Sequence, residues 1–395
     1  MNELTISKTN GGLGRTVSSD DGISGFLVNG YTVSGGVQFD TVYRAKTLDD
    51  VEALGITEDK DDEESMLVWE HFKEVFRINS NADVYFMVVD PSITPDVMVS
   101  NNLYAKKLLV EAGGKIKQLA LAFNPSAATT FADDILPLID EAQTLVGNEY
   151  NEHRPVQILL EGYNFDHSIP YLTPYDESLH GLKKSNVSVM VGQAMSVAST
   201  YPDYAAIGTL LGAVSLAAVN ENIGWVQKFD LLGGTLEVPA INGTSLNDIT
   251  VTELDTVNDY AVIFFRKHAG KSGIYFNDSF TCDELTSDYA YIENNRTIDK
   301  AVRAIRQAIL PRLNSPVLVD QETGQLSPSV TKSIEADGRK ALEQMVKDQE
   351  CSSIDVYCDP EQDILGTSEL SIKFTIVPTG TARQITVTLG FSNPF

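Results

Sequence analysis

Between residues 37 and 219, short apolar runs alternate with segments of helical periodicity, and this alternation constrains the fold most. The apolar runs lie at 84–89, 116–123, 156–160 and 187–191, and the helical segments at 47–55, 66–76, 104–112, 131–146 and 205–219. Continuous apolar strands separated by helices are typical of parallel sheets, because the helices cover both sheet faces. The pattern predicts an α/β domain with at least partly parallel strands.

The last third has a different pattern. Helices are predicted at 298–310, ending before Pro311, and at 330–348. Two segments of alternating hydrophobicity follow, with Pro378, Thr379 and Gly380 between them as a turn. Their apolar faces are formed by Leu370, Ile372, Phe374 and Ile376, and by Ile385, Val387, Leu389 and Phe391. Two helices with an antiparallel β unit indicate an α+β domain.

The first 36 residues are rich in Gly, Ser, Thr and Asn, which is typical of an extended arm. Within them, only Leu4, Ile6 and the patch Phe26, Leu27 and Val28 have strand-like apolar character. The length of 395 residues suits two or three domains. The predicted organisation is an N-terminal arm over 1–36, an α/β middle domain over 37–245, and an α+β C-terminal domain over 246–395 that ends in a strand-forming arm. The chain is therefore predicted to be multi-domain with extended terminal arms.

The chain is strongly acidic, with 29 basic and 55 acidic residues and a net charge of -26. Such a charge repels nucleic acid and anionic membranes, so neither is expected as a partner. The first thirty residues lack a basic stretch followed by an apolar core, so we expect no secretory signal and synthesis in a cytoplasm. The three cysteines, Cys282, Cys351 and Cys358, are expected to be unpaired thiols, with no zinc site.

Motifs of known enzymes are missing from the sequence. The five histidines are scattered, and no metalloprotease, nucleophile-elbow or phosphate-loop pattern is present. The glycine-rich stretch at 10–15 lacks the preceding strand and following helix that a dinucleotide loop needs. We therefore expect no catalytic, cofactor-binding or metal-binding residues.

One enzymatic alternative stays open. Asp90 and Glu161 directly follow predicted strands, where α/β enzymes place catalytic groups. A carboxylate that caps a strand end or a turn is the commoner case, and Pro91 fits a turn. The alternative function is an α/β enzyme of unknown reaction with a site near these strand ends.

A basic stretch on the helix at 298–310 stands out in so acidic a chain. Residues 300–309 include Lys300, Arg303 and Arg306 and no acidic residue. Arg303 and Arg306 lie three apart, on a face away from the apolar stripe. The stretch is either an interaction surface for an acidic partner or a solvated face with ordinary ion pairs.

The ordered features of residues 262–395 together resemble the C-terminal domain of contractile tail sheath proteins of phages and phage-like machines. The matching stretches are the glycine loop within 263–274, YIENNR at 291–296, the helix ending at Pro311, the second helix, LSIKFTIVPTG at 370–380 and ITVTLGF at 385–391. The stretches 206–208 and 220–224 also resemble sheath-like proteins of Bacteroides-type elements. Residues 37–200 depart from the commoner family pattern.

The resemblance implies a structural subunit that polymerises as rings around an inner tube and contracts without ATP to drive the tube through a target envelope. Terminal arms would add strands to sheets of neighbouring subunits. The residues implied are Leu4, Ile6, Ile385, Val387 and Leu389 as inter-subunit strand candidates, and Arg303 and Arg306 as tube-contact candidates.

The same resemblance implies the partners and the place of action. The partners are other copies of the chain, the inner tail tube protein, and baseplate and terminator proteins. Assembly is expected in the bacterial cytoplasm, followed by residence in a virion tail or phage-like particle. A tube or baseplate protein of the same machine is a further alternative, which the helical content disfavours because tube subunits are mostly β.

Overall fold

The computed structural model describes residues 20–168, 178–320 and 324–391. The chain forms strands and helices in mixed order, with short single-turn helices at Asp20–Gly22, Leu179–Leu182 and Leu310–Arg312 and a π-helical turn at Phe131–Ile135. The strands are β1 Ile23–Asn29, β2 Val42–Ala45, β3 Asp83–Val89, β4 Gln118–Ala122, β5 Gln157–Glu161, β6 Val187–Met190, β7 Gln193–Ala194, β8 Pro239–Ile241, β9 Thr244–Ser245, β10 Phe265–Arg266, β11 Tyr275–Phe276, β12 Cys351–Cys358 and β13 Ile372–Pro378. The helices are α1 Leu48–Glu52, α2 Glu58–Glu64, α3 Trp69–Ile78, α4 Pro95–Ser100, α5 Ala105–Glu111, α6 Leu136–Asn151, α7 Met195–Ala198, α8 Ile207–Leu216, α9 Val251–Asp259, α10 Ile292–Ile309, α11 Pro328–Lys347 and α12 Ile364–Thr367.

A six-stranded sheet with the order β2-β3-β1-β4-β5-β6 forms the centre of the molecule. Strands β1, β3, β4, β5 and β6 run parallel, and β2 pairs antiparallel with β3 at one edge. Helices cover both faces and produce two large cores, one with α3 and α8 and the other with α4, α5 and α6. The predicted α/β domain with partly parallel strands is confirmed.

Local sequence signals account for several helix ends. Thr47 caps α1, because its side chain accepts a hydrogen bond from the backbone of Asp50 while the Asp50 carboxylate accepts one from Thr47. The same reciprocal capping occurs at the start of α9, between Thr250 and Glu253. Helix α10 begins at Ile292, six residues before its predicted start, and ends just before Pro311 as predicted.

The N-terminal arm predicted over 1–36 is wrong for its described part. Residues Ile23–Asn29 form β1, which pairs with β3 on one side and β4 on the other, and every residue of β1 is buried. The strand lies at the centre of the sheet because its apolar residues contribute to both cores: Phe26 and Val28 to one, Leu27 to the other. Residues 1–19, including Leu4 and Ile6, lie outside the described residues.

The predicted domain boundary at residue 246 is also wrong. Residues 246–291 pack into the first body, since Val257 and Phe264 belong to the core beside α6 and Phe265 to the core beside α8. A separate smaller core begins within α10, which packs on α11 and the pair β12–β13. The C-terminal unit therefore starts at α10.

The two-stranded sheet of the C-terminal unit differs from the predicted hairpin. Strand β13 pairs antiparallel with β12, a strand that the sequence analysis missed, and not with residues 385–391. One face of this sheet packs on α11, where Gly338 lies so close that a Cβ atom would come within 2.9 Å of Val356 and Phe374. Residues 379–391 are outside any strand. The prediction of two helices with an antiparallel pair of strands is thus correct. The predicted partner of β13 is wrong, because β12 takes the place of residues 385–391.

Two glycines allow α8 to approach α3 closely beneath the main sheet. A Cβ atom at Gly208 would lie 2.3 Å from the carbonyl oxygen of His71, and one at Gly212 would lie 3.0 Å from that of Val75. These are backbone atoms in the middle of a helix, so they cannot move aside as a flexible side chain can. The close packing of α3 on α8 therefore depends on the absence of a side chain at both positions.

We expect Gly208→Ala to lower the free energy of unfolding by about 1–3 kcal/mol, because the added methyl group forces α8 away from α3. The matched control is Gly147→Ala in α6, where a Cβ atom meets nothing within 4 Å. The control should raise stability by roughly 0.5–1 kcal/mol, since alanine favours the helix. Urea denaturation followed by circular dichroism measures both; equal stability of the two variants would contradict the packing described.

Candidate assembly surface

The end of the chain presents an exposed apolar stripe. The side chains of Ile385, Val387 and Leu389 are 78%, 81% and 94% exposed, and Phe391 is fully exposed. An extended backbone places these alternating residues on one face and Thr386, Thr388 and Gly390 on the other. Three of the predicted inter-subunit strand candidates therefore lie on an unpartnered stripe.

Just before this stripe, the side chain of Arg383 is held by an acidic pocket of the first body and α10. Its Nε donates to Asp278 Oδ2 at 3.0 Å and its Nη2 to Glu293 Oε1, while its guanidinium lies 3.3 Å from the ring centroid of Tyr291. Glu293 is buried and also accepts hydrogen bonds from Ser279 and Asn222. This pocket is not apparent from the sequence, because Glu293 and Asp278 lie 90 and 105 residues before Arg383 along the chain.

The beginning of the described chain is also bound to α10. Asp21 accepts ion-pair contacts from Lys300 at 2.8 Å and from Arg303 at 3.0 Å. The buried Arg296 donates from Nη2 to the backbone oxygen of Asp21 at 3.3 Å and from Nη1 to that of Ala217 at 3.1 Å. The basic side chains lower the pKa of the Asp21 carboxyl, although burial acts in the opposite direction as the largest single contribution.

The two tube-contact candidates therefore have different surroundings. Arg303 is only 22% exposed and its guanidinium is paired with Asp21. Arg306 is exposed, and its guanidinium makes no ion pair or hydrogen bond with any residue in the described ranges. Of the pair, Arg306 is the one available to a partner.

The carboxylates of the enzymatic alternative do not come together. Asp90 follows β3 and Glu161 ends β5, and two strands lie between them in the sheet. At the usual interstrand spacing this separates them by about 14 Å. Asp90 accepts hydrogen bonds from the backbone N–H and hydroxyl of Ser92, which close a turn and lower its pKa.

Glu161 joins two loops at the carboxyl edge of the sheet. Its carboxylate accepts backbone N–H groups of Phe123, after β4, and Ala205, before α8, at 2.5 and 2.7 Å. Burial raises the pKa of Glu161 to about 8, although both hydrogen bonds act to lower it. This is the arrangement of a structural bridge between backbone segments.

The crevice where open α/β sheets usually bind ligands is bridged by amide side chains. The strand order reverses beside β1, so this crevice lies past the ends of β1 and β4. There Asn124 Nδ2 donates to the backbone oxygen of Asn29 at 2.9 Å, and Asn29 Nδ2 donates to that of Ile93 at 3.1 Å. These contacts tie the two strand ends and the loop after β3 together.

Within the described ranges, no group of three or more His, Cys, Asp or Glu residues could hold a metal ion. The three cysteines are buried and unpaired, as predicted. Among the helices of these ranges, none combines the length and apolarity needed to cross a membrane.

Two family profiles together match nearly the whole chain. The profile of the DUF2586 N-terminal domain matches residues 1–280, and that of the DUF2586 C-terminal domain matches residues 288–395. The chain belongs to the DUF2586 family. The gap between the two matched regions falls just before α10, where the C-terminal unit of this DUF2586 chain begins. No curated protein matches the sequence.

Solved structures show which fold this DUF2586 chain has. A chain of the sixfold-symmetrised baseplate of the anti-feeding prophage matches with a TM-score of 0.64 and 12% identity, over 99% of this chain and 99% of that one. A chain of the contracted sheath complex of the extracellular contractile injection system PVC matches with a TM-score of 0.60 and 11% identity, over 99% and 97%. The sheath tail protein of Desulfitobacterium hafniense matches with a TM-score of 0.52 and 9% identity, over 96% and 100%. The fold is that of contractile sheath proteins, which confirms the predicted resemblance and extends it to residues 37–200.

The bridge at Glu161 should make the stability of this DUF2586 chain depend on pH. Between about pH 5 and pH 8 the folded state keeps a proton on Glu161, whereas the unfolded state, with an ordinary pKa of 4.5, loses it. The free energy of unfolding therefore falls as the pH rises through this window, by up to about 1.4 kcal/mol per pH unit from this group. Urea denaturation of Glu161→Gln at several pH values should show a shallower fall than the parent chain.

The matched control is Glu369→Gln, at an exposed position in the C-terminal unit, which should keep the slope of the parent chain. An unchanged slope in Glu161→Gln would show that this carboxyl does not hold a proton in the folded state.

Proposed function

We propose that the chain is a structural subunit of a contractile tail sheath, which polymerises as stacked rings around an inner tube and contracts to drive that tube through a target envelope. One observation carries this proposal. A chain of a contracted sheath complex has the same fold over 99% of this chain and 97% of its own length. The match covers both the first body and the C-terminal unit, so it includes the segments that we propose to act in assembly as well as the sheet scaffold.

The exposed C-terminal stripe supports a specific mode of assembly. Residues 385–391 would add as a strand to the pair β12–β13 of a neighbouring copy, with main-chain hydrogen bonds giving affinity and the apolar side chains giving register. Within the described ranges, neither outer edge of this pair carries a further strand. An open edge and an unpaired alternating segment on the same molecule are complementary. Leu4 and Ile6 are proposed to do the same at the other end of the chain.

The proposed partners are further copies of the chain, a baseplate, a terminator and the inner tube protein. Matches to chains of the anti-feeding prophage baseplate and the PVC sheath complex support the first two kinds of contact. Assembly would take place in the bacterial cytoplasm and end in a tail or a phage-like particle. An enzymatic function lacks support, because Asp90 and Glu161 lie apart and both bind backbone groups.

We expect Val387→Asp with Leu389→Asp to abolish polymers that the unchanged chain forms. Burying each of these side chains contributes about 1.5–3 kcal/mol, so losing two raises the critical concentration by two orders of magnitude or more. The measurement is negative-stain electron microscopy of concentrated chain, alone and co-expressed with the inner tube protein. Hollow striated tubes should form from the unchanged chain only.

The matched control places the same charges on the opposite face of the segment, as Thr386→Asp with Thr388→Asp. Strand addition predicts that this variant keeps more of its assembly than the apolar-face variant. Equal loss in both variants would refute the proposed register. Discrete particles from the unchanged chain under every condition, including with tube protein, would refute the sheath function.

We expect Arg306→Glu to weaken attachment of the sheath to the inner tube by about tenfold while self-assembly stays intact. Arg306 is exposed and its charge is not used within the described part of the molecule, so reversal acts on a partner. Co-sedimentation of sheath with tube measures the attachment. Arg303→Glu should reduce it too, but also breaks the pair with Asp21.

Arg339→Glu, at an exposed residue of α11, is the matched control and should leave attachment unchanged. Wild-type attachment in the Arg306→Glu variant would remove this helix from the tube-contact surface.

A further inference from the structure

The C-terminal segment has very few attachments to the rest of the molecule. The residues from 381 to 391 are all exposed. Within the described part of this segment, the backbone makes one backbone hydrogen bond, from Arg383 N to Thr381 O at 3.1 Å. Thr379, just before it, accepts a hydrogen bond from Asn220 at 3.2 Å. Among the described residues, the side chain of Arg383 is therefore the main hydrogen-bonded attachment of this stretch.

The pocket that receives Arg383 is built for a guanidinium. Two carboxylates, Asp278 and Glu293, bind it along one edge, and the Tyr291 ring stacks on its face. Planar geometry of this kind suits arginine and does not suit lysine. Asn222 holds both carboxylates in place, donating to Asp278 at 2.6 Å and to Glu293 at 3.1 Å.

The energetic situation favours occupation of the pocket. The Glu293 side chain is 3% exposed and that of Asp278 is 13% exposed, so removal of Arg383 leaves two desolvated carboxylates side by side. A buried charge that loses its partner is strongly destabilising. Arg383 is also the only basic residue after Lys373, so no other residue of the segment can take its place.

We propose that Arg383 is a latch that fixes the point and direction at which the strand-forming segment leaves the subunit. The latch stands two residues before Ile385, the first residue of the apolar stripe, so a fixed guanidinium limits the positions that the stripe can reach. Restricting a segment before it binds lowers the ordering entropy that binding costs. This inference rests on the proposed strand addition for its purpose, but the latch itself is a property of the single subunit.

The test follows the mobility of the segment in the soluble subunit, with a nitroxide label at Ile385→Cys. The three native cysteines are buried, so the introduced thiol reacts selectively. We expect Arg383→Gln to shorten the rotational correlation time of the label by at least twofold, and Arg383→Lys to do so partly. Arg339→Gln is the matched control, because its ion pair with Asp355 is exposed and lies in the same unit. It should leave the spectrum unchanged.

Arg383→Gln can also lower the yield of folded protein, because Glu293 then lacks its cation. The double variant Arg383→Gln with Glu293→Gln removes the more deeply buried of the two uncompensated charges and should fold while its label stays as mobile as in the single variant. Equal label mobility in the parent and in either folded variant would overturn the latch.

Assembly is measured separately on unlabelled chains that keep Ile385. A critical concentration for tubes that rises several-fold in the double variant and in Arg383→Lys supports the proposal. Mobile labels with unchanged assembly would overturn it, because the latch would then not serve strand addition. If the unchanged chain forms no tubes at all, the sheath function fails, and the label spectra still decide whether the latch exists.

Discussion

The complete burial of β1 at the centre of the parallel sheet is the constraint on which the rest of the structure depends. The strand has neighbours on both sides and a core on each face, so every side chain of β1 has a fixed environment. Helices must cover both faces of such a sheet, since its strands have no polar side to expose. The position of β1 also fixes the turn at Asp20–Gly22 beside α8, where a Cβ atom at Gly22 would come within 2.7 Å of the Ser215 carbonyl oxygen.

Sequence patterns identified those parts of the fold that are locally encoded. Strands β3 to β6 are continuous apolar runs, and α1 begins at its capping threonine. The sequence shows only Phe26, Leu27 and Val28 of β1 as a strand-like patch, because Ser24, Gly25 and Asn29 interrupt its apolar residues. The Ser24 hydroxyl donates locally to Gly22, but both polar side chains also bind distant partners. Ser24 accepts a hydrogen bond from Gln118, and Asn29 binds loop carbonyls after β3. Strand β12 was missed because half of its residues are exposed and three of these are polar, so its apolar face is apparent only once α11 lies against it.

The candidate site was predictable in one part and unpredictable in another. The alternation of Ile385, Val387 and Leu389 is a local pattern, and the sequence reveals it directly. The pairing of the neighbouring segment β13 with β12 is determined by tertiary packing. So is the pocket of Arg383, whose members come from three separate stretches of the chain. The roles of Asp90 and Glu161 likewise depend on the order of the strands in the sheet, because this order sets the distance between them. Strand order cannot be read from a local sequence pattern.

Helix α10 holds both ends of the described chain, near its start through Glu293 and Arg383 and in its middle through Lys300, Arg303 and Asp21. In a polymer joined through both terminal segments, as proposed above, α10 would connect the two attachment points of each subunit. Rotation of α10 about its axis would move both attachment points together, by amounts that depend on their distances from that axis. The subunits of such a sheath would be mechanically coupled, because rotation of one subunit would pull directly on the subunits joined to it.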